Sequence, residues 1–128
     1  MFKKILIANR GEIACRIART CHRLGVAVAG VHSSADADAL HVKVIGESIE
    51  IGGAAASDSY LQIDAVIAAA KTAGAQAIHP GFGFLAENAT FARAVEAAGL
   101  VFIGPTPDVI ERLGDKASAK QEAEAANV

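Results

Sequence analysis

The sequence has no tryptophan, a single tyrosine and no long hydrophobic run, and each absence excludes a class of protein. A membrane-spanning helix needs about 18 consecutive apolar residues, and no stretch approaches that length although 52% of the 128 residues are hydrophobic. The net charge is −2, so no overall field attracts nucleic acid, and no basic stripe with interleaved aromatic residues is present. The length and composition therefore predict one globular domain of ordinary size.

Cysteine is also scarce. Cys15 and Cys21 fall in one predicted helix, where a rise of ~1.5 Å per residue separates them by about 9 Å. That distance is too long for a disulfide, so we expect buried thiols in a reducing compartment. No spacing of cysteine and histidine matches a zinc site, and the apolar run Ile5–Ala8 is too short for the core of a signal peptide. We expect a cytoplasmic or organellar protein.

Short apolar runs alternate with helical patterns along the chain. This alternation predicts an α/β fold, a Rossmann-like three-layer domain with a mostly parallel sheet of about five strands. Strands are predicted at Lys4–Ala8, Val26–Val31, Val44–Ile51, Gln76–Ile78 and Val101–Ile103, and helices at Glu12–Leu24, Ala39–Val42, Ile63–Ala73, Asn88–Ala98, Pro107–Leu113 and Asp115–Ala126.

The first strand-to-helix turn carries the segment ANRGEIACRI, residues 8–17. A dinucleotide-binding turn requires the pattern G-x-G-x-x-G and an acid at the end of the second strand. Only Gly11 is present, and the nearest acid, Asp36, lies in the loop beyond that strand. Both departures argue against a nicotinamide cofactor. Asn9 and Arg10 are predicted to have structural roles in the tight turn, where an asparagine side chain can bond backbone groups.

The segment HPGFGFLAEN, residues 79–88, follows the fourth predicted strand. Gly81 and Gly83 interrupt regular structure and allow backbone to approach a ligand closely. Phe82 and Phe84 either plug the core from this loop or face a ligand beyond the carboxyl ends of the strands. His79 is predicted to be a hydrogen-bonded structural histidine.

The segment FIGPTPDVIERLGDK, residues 102–116, ends in a glycine and two charged residues. We expect Gly114 to end one helix in the left-handed conformation and Asp115 to cap the next. Lys116 would then stand in a first helical turn, where the helix dipole disfavours a cation unless an anion is bound. The residues alone leave two interpretations open, a solvent-exposed lysine and a phosphate contact.

In this order and at these distances, the three segments resemble the N-terminal domain of biotin carboxylase, the ATP-grasp component of biotin-dependent carboxylases. The resemblance extends to VHSSADADALHV (residues 31–42) and SYL (residues 59–61). It implies a pre-ATP-grasp domain at residues 1–114 and the start of a linker helix toward an ATP-grasp domain at 115–128. It also implies a ligase that uses ATP, Mg²⁺ (or Mn²⁺) and bicarbonate to carboxylate biotin on a carrier protein.

The resemblance implies roles for particular residues. Lys116 matches a lysine that contacts ATP phosphate, and Phe82 and Gly83 match the biotin-binding loop. The family usually has tyrosine at the position of Phe82, so stacking against the ureido ring can survive here while any hydrogen bond from the hydroxyl is lost.

Three arginines recur at helical spacing in the first predicted helix, on one face. They are Arg16, Arg19 and Arg23. The pattern alone fits a solvated basic face or a surface for an acidic partner, and the resemblance implies a homodimer contact. Some relatives carry an acid at position 23, so the ion pairs across that contact can differ.

The expected partners are the ATP-grasp portion of the same protein, a biotin carboxyl carrier domain and a carboxyltransferase. No metal ligands, general base or other catalytic residues are recognisable in the 128 residues, so we expect the chain alone to be inactive. The predicted location is cytoplasmic, or the mitochondrial matrix in a eukaryote. Two alternatives remain open: another ATP-grasp ligase such as carbamoyl-phosphate synthetase, and a stand-alone nucleotide-binding or interaction module.

Overall fold

A single parallel sheet organises the chain. The structure, a computed structural model, describes residues 1–115, and within them the strand order is β3-β2-β1-β4-β5. The strands are β1 (Lys4–Ile7), β2 (Ala27–His32), β3 (Ser48–Glu50), β4 (Ala77–His79) and β5 (Val101–Phe102), and the helices are α1 (Gly11–Arg23), α2 (Leu40–Ile45), α3 (Ile63–Ala73), α4 (Ala89–Ala97) and α5 (residues 107–115). All four strand pairs in the described residues are parallel, which confirms the predicted α/β fold.

Helices cover both faces of this sheet. In the central strand β1, Ile5 and Ile7 face a core cluster built with α1 and α2, while Leu6 faces a second cluster built with α3, α4 and α5. Successive side chains of a strand point to opposite faces, so a continuous apolar run is what a strand buried on both faces requires. The result is a three-layer domain with β1 in its middle.

Local sequence signals account for several helix ends. α3 has the predicted bounds and ends at Gly74, whose left-handed φ of 73° suits a helix C-terminus. α4 begins after Asn88, whose side-chain Oδ1 accepts a hydrogen bond from the Phe91 N–H at 2.9 Å. The predicted cap is therefore confirmed. Cys15 and Cys21 are both free and buried, as expected, and burial raises the pKa of the Cys21 thiol.

The predicted third strand, Val44–Ile51, is wrong at its beginning. Val44 and Ile45 belong to α2, which ends at Gly46 with a positive φ of 90°, and the strand comprises only Ser48–Glu50. The β-branched side chains suit a strand by propensity, but burial of Ile45 in the cluster beneath the sheet decides the outcome. A Cβ atom on Gly30 would approach Ile45 Cδ1 to 2.8 Å, so β2 leaves space for this side chain.

The predicted helix break at Gly114 and Asp115 is also wrong. Both residues are helical, as the last residues of α5 that are described. Glycine permits the left-handed conformation without imposing it, and no proline follows to end the helix. The expected cap at Asp115 is therefore absent. Lys116 and the remainder of the helix predicted at Asp115–Ala126 lie outside the described residues. No helix of the described chain has the length and apolar character needed to cross a membrane.

Candidate functional site

The strand order places a crevice beside β1. The chain passes from β1 to β2 on one side and returns to β4 on the other, so the segments after β1 and β4 leave adjacent strands at the same edge of the sheet. In open α/β sheets this switch point is where ligands bind. The two segments are residues 8–10, after β1, and residues 80–88, after β4. We call residues 80–88 the glycine loop.

Asn9 joins these two segments. It is 2% exposed, and its Nδ2 donates to the carbonyl oxygens of Pro80 and Phe82, at 2.8 Å each. Its Oδ1 accepts from the Arg10 N–H at 2.8 Å. A Cβ atom on Gly81, where φ is 68°, would lie 2.8 Å from Asn9 Nδ2, so the close approach requires glycine. The structural role predicted for Asn9 is confirmed.

Phe82 projects from the glycine loop into solvent. Its side chain is 70% exposed, between two glycines with positive φ. It borders a shallow cavity of about 330 Å³ against α5 and another of about 500 Å³ against the first turn of α1. Gly83 is exposed beside it, and nothing lies within 4 Å of the position a Cβ would take there. Phe82 is therefore not a core residue. Phe82 and Gly83, the two positions expected to bind biotin, are both exposed on the same part of the glycine loop.

Phe84, by contrast, turns inward. It is partly buried, has a positive φ of 44°, and stacks on the Tyr60 ring with centroids 5.1 Å apart. Tyr60 is 2% exposed. Its hydroxyl donates to Asp36 Oδ2 at 2.7 Å and accepts from the Ser33 N–H at 3.1 Å. Two phenylalanines two residues apart therefore have opposite environments.

Arg10 completes this cluster. Its guanidinium carbon lies 5.5 Å from the Tyr60 ring centroid and 5.8 Å from that of Phe84, and its Nη1 is 3.3 Å from Asp36 Oδ2. The hydrogen bond from Tyr60, with those from Arg10 and Ser33, lowers the pKa of the Asp36 carboxyl. Burial and the neighbouring Asp36 raise the pKa of Tyr60 to about 12. At neutral pH the pair is consequently a carboxylate and a phenol that donates to it.

No motif in the sequence assigns Tyr60 or Phe84 to this cluster, and the position of Asp36 after β2 suggests only a ribose ligand. One signal was available, because Tyr60 is the single tyrosine of the chain. A buried tyrosine usually finds a partner for its hydroxyl. No local pattern names Asp36 as that partner, since the two lie 24 residues apart.

His79 supports the glycine loop from the end of β4. The Gly81 N–H donates to its Nδ1 at 3.0 Å, which requires an unprotonated nitrogen. Burial lowers the pKa of the His79 ring and thereby favours the neutral form. The histidine is structural, as predicted.

The three arginines of α1 lie apart from this cluster. Arg16, Arg19 and Arg23 are exposed and line a shallow cavity of about 580 Å³ on the outer surface of the helix. Arg19 Nη1 contacts Glu12 Oε1 at 3.4 Å. Within residues 1–115 no group of three or more histidine, cysteine or acidic side chains could hold a metal ion.

Fold and site together define a parallel α/β domain with an aromatic ring exposed at its switch point. The family model for the N-terminal domain of biotin carboxylase matches residues 1–110. The chain therefore belongs to the biotin carboxylase N-terminal domain family.

Individual relatives agree with this assignment. The chain is 56% identical over 128 residues to a biotin carboxylase of Pseudomonas aeruginosa, covering all of the chain and 28% of that protein. It is 52% identical to the propionyl-CoA carboxylase alpha chain of Ruegeria pomeroyi, covering all of the chain and 19% of that protein. The chain thus spans less than a third of the length of these relatives.

A solved structure shows the same fold in a liganded enzyme. It is the biotin carboxylase domain dimer of Hydrogenobacter thermophilus 2-oxoglutarate carboxylase, in complex with MgADP, ADP and bicarbonate. The TM-score is 0.87 at 48% identity, and the match covers all of this chain and 28% of that one. Among the alternatives considered, these matches favour biotin carboxylase over carbamoyl-phosphate synthetase.

Proposed function

We propose that this chain is the N-terminal domain of a biotin carboxylase that uses ATP, Mg²⁺ (or Mn²⁺) and bicarbonate to carboxylate biotin on a carrier domain. This is the first half-reaction of a biotin-dependent carboxylase. The family membership supports the reaction class, and the exposed ring of Phe82 on the glycine loop is the observation that supports a binding role for this domain.

The glycine loop would contribute the biotin contact. Phe82 offers an apolar ring face of the size of a ureido ring. Asn9 Nδ2 donates to the Phe82 carbonyl oxygen at 2.8 Å, so the backbone under the ring is fixed before the ligand arrives. Gly83 leaves room for close approach because nothing occupies the space beside its Cα. A loop whose backbone is already held presents the ring without rearranging the backbone, which lowers the entropic cost of association.

The chemistry would belong to the rest of the enzyme. The described residues offer no acidic cluster for Mg²⁺, so this part of the chain does not fit a metal site. Lys116, proposed as an ATP-phosphate contact, lies outside the described residues. We infer that the metal carboxylates and the general base lie in the ATP-grasp portion, and that residues 1–128 alone are inactive.

The proposed partners are a biotin carboxyl carrier domain, a carboxyltransferase and a second copy of the enzyme. The exposed positions of Arg16, Arg19 and Arg23 are consistent with a dimer contact, and the Hydrogenobacter relative is a domain dimer. The proposed location is cytoplasmic, or the mitochondrial matrix in a eukaryote.

Replacement of Phe82 in the full-length protein tests the proposal. Phe82→Ala should raise the KM for free biotin about tenfold, since the loss of an aromatic contact of ~1.4 kcal/mol corresponds to that factor. Bicarbonate-dependent ATP hydrolysis without biotin should persist, and Phe82→Tyr should behave like the unaltered enzyme. Val101→Ala is the matched control, because Val101 is also exposed and apolar but lies at the start of β5, at the opposite end of the sheet.

Two results would count against the proposal. If Phe82→Ala lowered both activities together, in step with a loss of folded protein, the ring would have a structural role. If the 128-residue chain bound MgATP in the micromolar range by isothermal titration, a stand-alone nucleotide-binding module would be favoured instead.

A further inference from the structure

Phe84 adopts a backbone conformation that is costly for its residue type. A left-handed φ is uncommon outside glycine, asparagine and aspartate, and for a bulky side chain it persists only where surrounding contacts impose it. Phe84 lies in a turn that the Ala86 N–H closes on the Gly83 carbonyl at 2.9 Å, and its ring stacks on Tyr60 with an interplanar angle of 25°. A side chain from the segment after β3 therefore supports the backbone conformation of the glycine loop at this residue.

Tyr60 is itself fixed at its hydroxyl. The bonds to Asp36 Oδ2 and from the Ser33 N–H anchor the ring to the segment after β2, and Ser33 Oγ also donates to Asp36 Oδ2 at 3.2 Å. A buried ring with both its face and its hydroxyl engaged has one orientation. Asp36, Tyr60 and Phe84 thus form a continuous chain of contacts from β2 to the glycine loop, which we call the aromatic brace.

The brace meets the Asn9 contact at Arg10. The Arg10 side chain lies over the rings of Tyr60 and Phe84, while its backbone N–H donates to Asn9, which in turn bonds the Phe82 carbonyl. The backbone is consequently held on both sides of Gly83. Phe82 is held only at its carbonyl, and its side chain remains 70% exposed.

We propose that Tyr60 and Asp36 are positioning residues for the biotin contact, acting through Phe84 on the orientation of the Phe82 ring. This inference rests on the proposed function, because it assigns to Phe82 the biotin contact proposed above. Neither residue touches the ligand in this mechanism. Their effect is to hold the glycine loop in a conformation that it would otherwise leave at the strained residue.

The test uses the full-length enzyme and separates positioning from folding. Tyr60→Phe keeps the stack but removes the hydroxyl and both of its hydrogen bonds, and should raise the KM for biotin about fivefold. Tyr60→Leu removes both and should raise it about tenfold or more, while Asp36→Asn should act in the same direction. ATP hydrolysis without biotin should stay within about twofold in each.

A matched control comes from the opposite face of the sheet. Val28 is buried in the cluster with α1 and α2 and has no part in the brace, so Val28→Ala should lower the thermal midpoint without changing the KM for biotin. If Val28→Ala raised that KM as much as Tyr60→Leu did, general loss of stability would explain the effect and the inference would fail.

A double-mutant cycle shows whether Tyr60 acts through Phe82. In the Phe82→Ala background, Tyr60→Leu should change the KM for biotin by less than about twofold, because the ring that it positions is gone. If the effects of the two substitutions on the KM were fully additive, the positioning role alone would be overturned. The same would follow if Phe82→Ala raised the KM while the single Tyr60 variants left it unchanged. An unchanged KM in Phe82→Ala would instead overturn the biotin contact and, with it, the positioning role.

Discussion

Asn9 is the residue on which the junction between β1 and the glycine loop depends, and Asn9→Ala is therefore expected to destabilise the fold. The change removes three hydrogen bonds, two donated to carbonyls of the loop and one accepted from Arg10. The Pro80 carbonyl is left buried without a partner, at a cost of about 1–3 kcal/mol. The other two groups can reach water more easily and add roughly 0.5–1 kcal/mol each, so the expected total is about 2–5 kcal/mol.

Urea unfolding of the 128-residue chain, followed by far-ultraviolet circular dichroism, measures this loss. Asn88→Ala is a matched control, because the same side chain there makes one hydrogen bond, to the Phe91 N–H, and a lost helix cap costs about 1 kcal/mol. If Asn9→Ala cost no more than Asn88→Ala, the bridging role of Asn9 would be refuted.

The isosteric change Asn9→Asp should make the stability of the fold depend on pH. Asn9→Asp places a carboxylate oxygen where Nδ2 now faces two carbonyl oxygens at 2.8 Å. That environment raises the pKa of the new carboxyl in the folded state, since only the protonated form can donate to a carbonyl. The variant should thus recover stability as the pH falls and lose it again as the pH rises through the raised pKa. A variant whose stability did not depend on pH relative to the unaltered chain would contradict this account.

Three further predictions concern other parts of the domain. His79 has a pKa lowered by burial, so stability should fall as the pH drops below the ordinary histidine value of about 6.5. Urea midpoints should fall less with pH in His79→Gln, and an identical fall would show that another group causes the pH dependence. Lys116→Ala in the full-length enzyme should weaken ATP binding by about 1.5–3 kcal/mol with the thermal midpoint unchanged, and an unaltered KM for ATP would remove it from the site. Arg16→Glu should raise the dimer Kd at least about tenfold by sedimentation, whereas the same change at the exposed Lys71 of α3 should not; equal effects would point to net charge alone.

Local sequence patterns were sufficient to predict the three-layer α/β fold of this protein. The run at β1, the helical spacing of α1 and α3, and the cap at Asn88 depend on neighbours in the chain. They predicted the α/β fold, the bounds of α3 and the start of α4. The glycine loop and its two companion segments also indicated the family, which the match over residues 1–110 confirmed. The roles expected for Phe82, Gly83, Lys116 and the arginines of α1 stay predictions.

Where local signals competed, the sequence was insufficient. Val44 and Ile45 suit a strand by propensity, yet packing beneath β2 retains them in α2. Gly114 permits a helix end, yet α5 continues through it. Each of these residues allows two local conformations, and contacts outside the segment select between them.

The tertiary structure alone decided which aromatic ring faces solvent. Phe82 and Phe84 have nearly the same local context in the sequence, yet Phe84 packs inward on Tyr60, a residue of the segment after β3, and on the core cluster of that face. Asp36 likewise acquires its partner from 24 residues away. The strand order assembles these groups because the carboxyl ends of β1, β2 and β4 meet at one edge of the sheet, and contacts across that edge depend on topology, which no single segment encodes.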